Sequence, residues 1–455
     1  MARRTIQAPY GACDFVGSRP CHNPVCGCAR ALRCTIRTGP SARTSRGVVF
    51  WDSRNAPAHE RHWVRTTHRA IGAFTHMTTR RSFLSFLGTL PLGACSHWST
   101  TDGASQTARR ATADGPGTDA MNEALEILRP YAPSFRGGLS NHGPMTAEAL
   151  VALGHHDAVL PWIERYRKQL EPRLNPHRRI TSSGWRDALG DRARIGDWEE
   201  WFTNHLKESL WPDVLARWIP RLAPGMAAAG LHGVIRVGHA VCSLAAQDNE
   251  LRRDELARAL AYWAAEYMSL PGRQGDHGEL APSEALLQVQ ALPDENRRSR
   301  GLIATQLGEL AAFANVINLV DPSAGSPSNM SDLISTFAGT FANTTANSFD
   351  FLHAVTGSAA VAELLPYVAA DDRDLVRAYT WQATAAIFAR YSRPGLSATL
   401  EAEPEGSKDF KHLAKLAVDR GDAHTIKLAA ACRREWLRNP DPRLLAAATR
   451  RVRKG

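Results

Sequence analysis

The chain has little cysteine where a disulfide framework would need it. Of its eight cysteines, Cys13, Cys21, Cys26, Cys28 and Cys34 crowd the N-terminus, Cys95 follows, and only Cys242 and Cys432 remain in the long body. A disulfide-stapled scaffold is excluded there. The early run C-H-N-P-V-C-G-C lacks two separated Cys-x-x-Cys pairs and sits in Arg-, Pro-, Gly- and Ser-rich sequence without period. It fits unstructured or untranslated sequence better than a zinc site. A net charge of one sign is also missing from the body. Residues 1–76 hold twelve arginines, no lysine and three acidic side chains, which accounts for nine of the ten net positive charges; from Ser96 onward 41 basic face 42 acidic side chains. No basic face is left to bind nucleic acid. Convincing β-alternation is absent, no G-x-G-x-x-G follows a strand, and neither G-x-S-x-G nor H-E-x-x-H occurs, so Rossmann cofactor binding, α/β-hydrolase chemistry and zincin proteolysis lack support.

What is present begins with a leader. From Met77, Thr79-Arg80-Arg81-Ser82-Phe83-Leu84 precedes an apolar stretch, Phe83 to Leu92, closed by Leu92-Gly93-Ala94-Cys95. Paired arginines, an apolar run too short to span a bilayer and small residues before a cysteine resemble a twin-arginine export signal with a lipobox. Cys95 would become the lipidated first residue, anchoring an exported protein on the periplasmic side. An internal signal is out of place, so translation is expected to start at Met77, with residues 1–76 a mis-called or disordered extension. If it does not, the protein is expected in the cytoplasm. Residues 96–118 are small and polar, a flexible tether with a reach of about 25 Å.

With 44% hydrophobic residues, the chain can bury a large core. Leu256, Leu260, Trp263, Tyr267 and Leu270 fall on one helical stripe, and similar periods cover 302–320, 374–391 and 423–438. Pro/Gly-rich breaks at 130–144, 171–190, 271–282, 321–328 and 393–408 read as loops. The expected fold is all-α, one large multi-helix domain over 119–455 with ten to fifteen helices. Trp198, Trp201, Phe202, Trp211 and Trp218 read as core packing rather than as an aromatic ligand pocket. His155-His156-Asp157 contains half of an iron facial triad, but after Gly154 it reads as a solvated turn at a helix end.

The histidines carry the chemical signal. His142, in Asn141-His142-Gly143-Pro144, stands at the entrance of a helix that Pro144 opens and Gly154 stops. In Gly230 to Ala240, His232 and His239 lie seven apart on one helical face. The three glycines there cost about 1 kcal/mol each relative to alanine, which implies close approach of another backbone or a ligand. His353 follows Asp350-Phe351-Leu352, and His424 shares a face with Lys427. Each histidine alone reads as a hydrogen-bonded core residue. Together they suit a transition metal, since one ion gives every buried imidazole a partner, and a set poor in carboxylates favours iron, copper or zinc over magnesium or calcium. Beside a cation, Lys427 must be neutral, turned away, or carboxylated on nitrogen.

In order along the chain, N-H-G-P-M-T-A-E-A-L-V-A-L-G near 141, G-L-H-G-V-I-R-V-G-H-A-V near 230, F-L-H-A-V-T near 351 and D-A-H-T-I-K near 422 resemble the questin oxidase-like family over most of 123–438. The resemblance implies an all-helical oxygenase acting on aromatic polyketides by Baeyer–Villiger or ring-cleaving chemistry. It implies a non-haem iron on His142, His232, His353 and His424 with a carboxylated Lys427, and NADPH as reductant in some members. His239 and Arg236 are expected in catalytic support or substrate contact. Met145 and Arg236 stand where fungal members tend to have histidines, which leaves the ligands intact and the substrate open. The expected function is an iron-dependent oxidoreductase for an aromatic small molecule. The alternatives are a non-catalytic helical lipoprotein that binds a ligand or partner, and a zinc hydrolase on the same ligands.

Overall fold

The computed structural model describes residues 116–453, except 273–274, 276–277, 294–300, 311–312, 314, 323–326, 345–348 and 393–408. The leader, Cys95, most of the tether and the expected loop at 393–408 lie outside the described residues. Fifteen α-helices are described: α1 Pro116–Leu128, α2 Gly143–Ala152, α3 Val159–Tyr166, α4 Ile195–Glu208, α5 Trp211–Leu222, α6 His232–Ala246, α7 Glu250–Ala265, α8 Pro282–Leu286, α9 Ile303–Gly308, α10 Pro327–Asn343, α11 Phe349–Leu364, α12 Ala370–Tyr391, α13 Phe410–Arg420, α14 Ala423–Arg438 and α15 Pro442–Arg453. The one sheet among the described residues is a hairpin, β1 Ser134–Phe135 against β2 Leu139–Ser140. It falls inside the break expected at 130–144, where two-residue strands leave no readable alternation. No described helix is long and apolar enough to cross a membrane.

Local chemistry sets the helix ends. Asn249, Asp409 and Asp422 accept the exposed backbone N–H groups of Arg252, His412 and Thr425 at the starts of α7, α13 and α14. Gly154 and Gly421, at φ +83° and +69°, turn the chain out of α2 and α13. The stripe from Leu256 continues past its helix. The chain leaves α7 after Ala265, where the Ala264 carbonyl accepts from Gly190 N, and Tyr267 packs on the core from the following turn.

The run at 302–320 departs from expectation. Among its described residues only Ile303–Gly308 is α-helix; beyond it Leu310 N bonds Leu307 O, Phe313 N bonds Leu310 O and Leu319 N bonds Val316 O. Linked three-residue turns bury Leu307, Leu310, Phe313 and Val316 as an amphipathic helix would, and Trp381 of α12 donates to the Val316 carbonyl at 2.7 Å. Apolar spacing near three residues reports a buried face, not which backbone bonds form.

Four helices position the site. α6 packs on α2 and α11, and α14 packs on both of those, closing a ring α2–α6–α11–α14. Glycine lets the ring close tightly. A Cβ on Gly238 of α6 would stand 2.6 Å from the Ala360 Cβ of α11, and one on Gly357 of α11 would stand 2.4 Å from Leu231 Cδ2. The close approach expected of the α6 glycines is therefore to neighbouring helices: a Cβ on Gly233 would also lie 3.1 Å from the Trp263 backbone of α7. Trp198, Phe202 and Trp218 are fully buried and pack edge-on and stacked in the core.

Candidate metal centre

The ring of helices brings four histidines to one place by their N-terminal ends. His142 is the N-cap of α2, His232 the first residue of α6, His424 the second of α14 and His353 the fifth of α11. The turn into α6 is strained to achieve this. Ala229, Gly230 and Leu231 all have positive φ, of 48°, 63° and 69°, a conformation that costs a non-glycine residue about 1 kcal/mol or more. It aims the His232 ring inward and sets its Nδ1 2.8 Å from the Ala229 carbonyl. Because that carbonyl can only accept, Nδ1 carries the proton, and the Nε2 lone pair faces the cluster.

His142 Nε2 lies 3.0 Å from His232 Nε2. Ring centres stand 4.4 Å apart for His142 and His424, 4.8 Å for His232 and His353, and 5.3 Å for His353 and His424. One ligand atom from each of His142, His232 and His424 lies within 4.8 Å of the others. His424 Nδ1 faces the Asp422 carboxylate at 3.8 Å, which leaves its Nε2 for the cluster. Asp422 is itself held by Thr425 and Arg451.

Burial, followed by the Lys427 charge, depresses the pKa of His142 and His232; in His353 burial leads, followed by its imidazole neighbours and Lys427. Burial holds His424 at about 4 against the opposing pull of Asp422. The imidazoles are neutral at pH 7, the form in which they can bind a metal. Lys427, fully buried on α14, has no hydrogen-bond partner for Nζ, and burial pushes its ammonium down to about 7. Neutral nitrogen donors converging beside an amine without a partner fit a transition metal held by histidines.

A cavity of about 510 Å³ opens on the cluster. Trp162 and Tyr166 of α3 stack at 4.6 Å to form one wall, with Phe135 edge-on to Tyr166 and Phe349 over His353 and His424. The wall is tied to the ligands at both ends. The backbone N–H of His142 donates to Tyr166 Oη at 2.7 Å, and Trp162 Nε1 donates to the Gly421 carbonyl at 2.8 Å. Burial raises the Tyr166 hydroxyl to about 12, so it stays protonated.

His239 and Arg236 do not line this cavity. His239 is two turns along α6 from His232, about 10 Å away along the axis, with its Nδ1 2.6 Å from Glu148 Oε2; Glu148 also pairs with Arg434. Arg236 makes a buried bidentate bond to Glu255 at 2.7 and 2.9 Å. His155 and His156 lie on the short turn after α2, apart from the cluster. The sequence reading assigned no role to Trp162, Tyr166, Phe349, Asp350 or Asp422. The two aspartates had a signal, since each stands within three residues before a singled-out histidine, whereas the aromatic wall had none.

An all-helical fold enclosing a neutral histidine cluster beside an aromatic-walled cavity defines a class of helical protein whose cluster could hold a metal ion. The family model for questin oxidase-like proteins matches residues 139–432. The chain belongs to that family. Among curated proteins no match is found.

Proposed function

We propose that this protein is a metal-dependent oxidoreductase, a non-haem iron oxygenase acting on an aromatic or polyketide-like small molecule by Baeyer–Villiger or ring-cleaving chemistry. The observation that carries the reading is the meeting of His142, His232, His353 and His424 at the floor of an aromatic-walled cavity. Those four and Lys427, carboxylated on Nζ, would hold the iron. When bound, the metal would supply dioxygen activation and one-electron chemistry.

The remaining work falls to this chain's own side chains. Trp162, Tyr166 and Phe349 offer flat apolar faces that favour a planar ring and exclude water. The Ala229 carbonyl holds His232 in the tautomer that presents Nε2, and the Asp422 carboxylate, 3.8 Å from His424 Nδ1, orients that ring by its charge. The Glu148–His239–Arg434 group braces α2, α6 and α14 behind the cluster, which makes His239 a positioning residue rather than a substrate contact. NADPH, as an external reductant, is part of this reading through the family likeness alone. Export from a start at Met77, with a lipid anchor on Cys95, is proposed from the leader alone.

The test is metal analysis and oxygen uptake on protein purified without a His tag. Stoichiometric iron that is lost in His353→Ala supports the proposal. A metal-free protein of unchanged stability points to a non-catalytic binding lipoprotein, and a colourless zinc protein without oxygen uptake points to a hydrolase.

A further inference from the structure

We propose that Asp350 selects a hydroxylated ring: its carboxylate accepts the hydroxyl hydrogen of the substrate and fixes that hydroxyl one helical turn from His353. This rests on the reading of the cavity as an aromatic-substrate site. Asp350 and His353 stand at i and i+3 on α11, so their side chains leave the same face, and both line the cavity.

Two carboxylates line that cavity, and they differ. Asp422 is occupied, capping α14 and pairing with Arg451. Asp350, in the first turn of α11, is engaged only by its own backbone N–H. Among the described residues no other side chain hydrogen-bonds its carboxylate or pairs with it. The neighbouring Arg390 acts on it only through its field, its own guanidinium bonding Gln306 Oε1 at 2.7 Å. Burial accordingly raises the carboxyl to about 6, which still leaves it ionised at neutral pH. That leaves a half-buried carboxylate at the rim of the cavity with acceptor capacity that a ligand donor can use.

The surroundings decide which kind of donor. The N-terminal turns of α2, α6, α11 and α14 all meet at the cluster, and a metal ion held there by the imidazoles would repel a second cation bound beside it. A neutral hydroxyl satisfies the carboxylate without that repulsion. On an aromatic ring it also lies in the ring plane, in reach of a carboxylate at the rim while the faces rest on Trp162, Tyr166 and Phe349.

Fluorescence titration of the full-length metal-loaded protein at pH 7.5 with 2-naphthol, 2-methoxynaphthalene and 1-naphthylmethylammonium tests this. The wild type is expected to bind 2-naphthol at least about ten-fold more tightly than its methyl ether, as a charge-assisted hydrogen bond requires, and more tightly than the ammonium. Asp350→Asn and Asp350→Leu should lose most of that preference while binding the ether as before and keeping the wild-type metal content. Equal binding of naphthol and ether by the wild type, tighter binding of the ammonium, a preference undiminished in both variants, or loss of metal with the substitution would each overturn the proposal. The wild-type comparison stands even if a variant fails to fold. Naphthol selectivity in a protein without iron would sink the iron reading and leave the role of Asp350 intact.

Discussion

His232 shows how much a single residue depends on backbone strain in the three residues before it. Its ring is aimed by a left-handed turn and locked by one carbonyl, so removing the ring removes a donor that its neighbours cannot replace. His232→Ala is expected to lower metal affinity by at least 10-fold, measured by competition with a chromophoric chelator, with the helical circular-dichroism spectrum retained. Glu148 makes a second case. Arg434 and His239 hold its carboxyl at about 2 against the desolvation that would raise it. Because the folded pKa lies below the usual 4.5, its contribution, up to about 3 kcal/mol, is present above pH 4.5 and is lost as pH falls toward 2. Urea unfolding from pH 7 to pH 2 should show this loss in the wild type and a flatter profile in Glu148→Gln. That variant is expected to be less stable at pH 7, since it leaves the half-buried Arg434 without its hydrogen-bonded carboxylate.

Among the elements, α6 and α11 carry the tightest constraint. At Gly238, alanine would gain about 1 kcal/mol in helix propensity. Its methyl would meet the Ala360 Cβ at 2.6 Å and Cα at 2.9 Å, and part of that obstacle is backbone. The clash wins, so Gly238→Ala is expected to destabilise by about 1–3 kcal/mol, read as a lower urea midpoint at unchanged slope. The same substitution prises apart the two helices that present His232 and His353, so metal affinity should fall with stability. The opening of α2 at Pro144, its stop at Gly154 and the helical runs at 374–391 and 423–438 were legible in the sequence. The extent of 302–320 was not, because chained turns and a helix leave similar apolar spacing when both lie on a core.

For the whole molecule, the centre is a tie between distant parts of the chain. Residues 142, 232, 353 and 424 meet only in the native fold, so a metal that binds there stabilises the folded state alone. Thermal unfolding with and without a chelator should show a higher Tm for the metal-loaded form. The gain is about 4 kcal/mol at a free metal concentration a thousand times Kd. His353→Ala should abolish the difference.

The amino-acid order was enough to give the all-helical class, the histidines worth watching, the oddness of Lys427 and the family likeness. Each is written in local spacing or in residue type, and periodicity and propensity act over a few residues. Which of those histidines share a site was decided by packing. His239 had the same helical face as His232 and the same kind of neighbours in sequence, yet two turns of α6 carry it to Glu148 and away from the cavity. The wall of Trp162, Tyr166 and Phe349, and the exposure of Asp350 to the same space, likewise arise only when α11 takes its place in the ring and α3 packs against it. Those are contacts across long stretches of chain, fixed by the shapes of whole helices, and no local pattern records them.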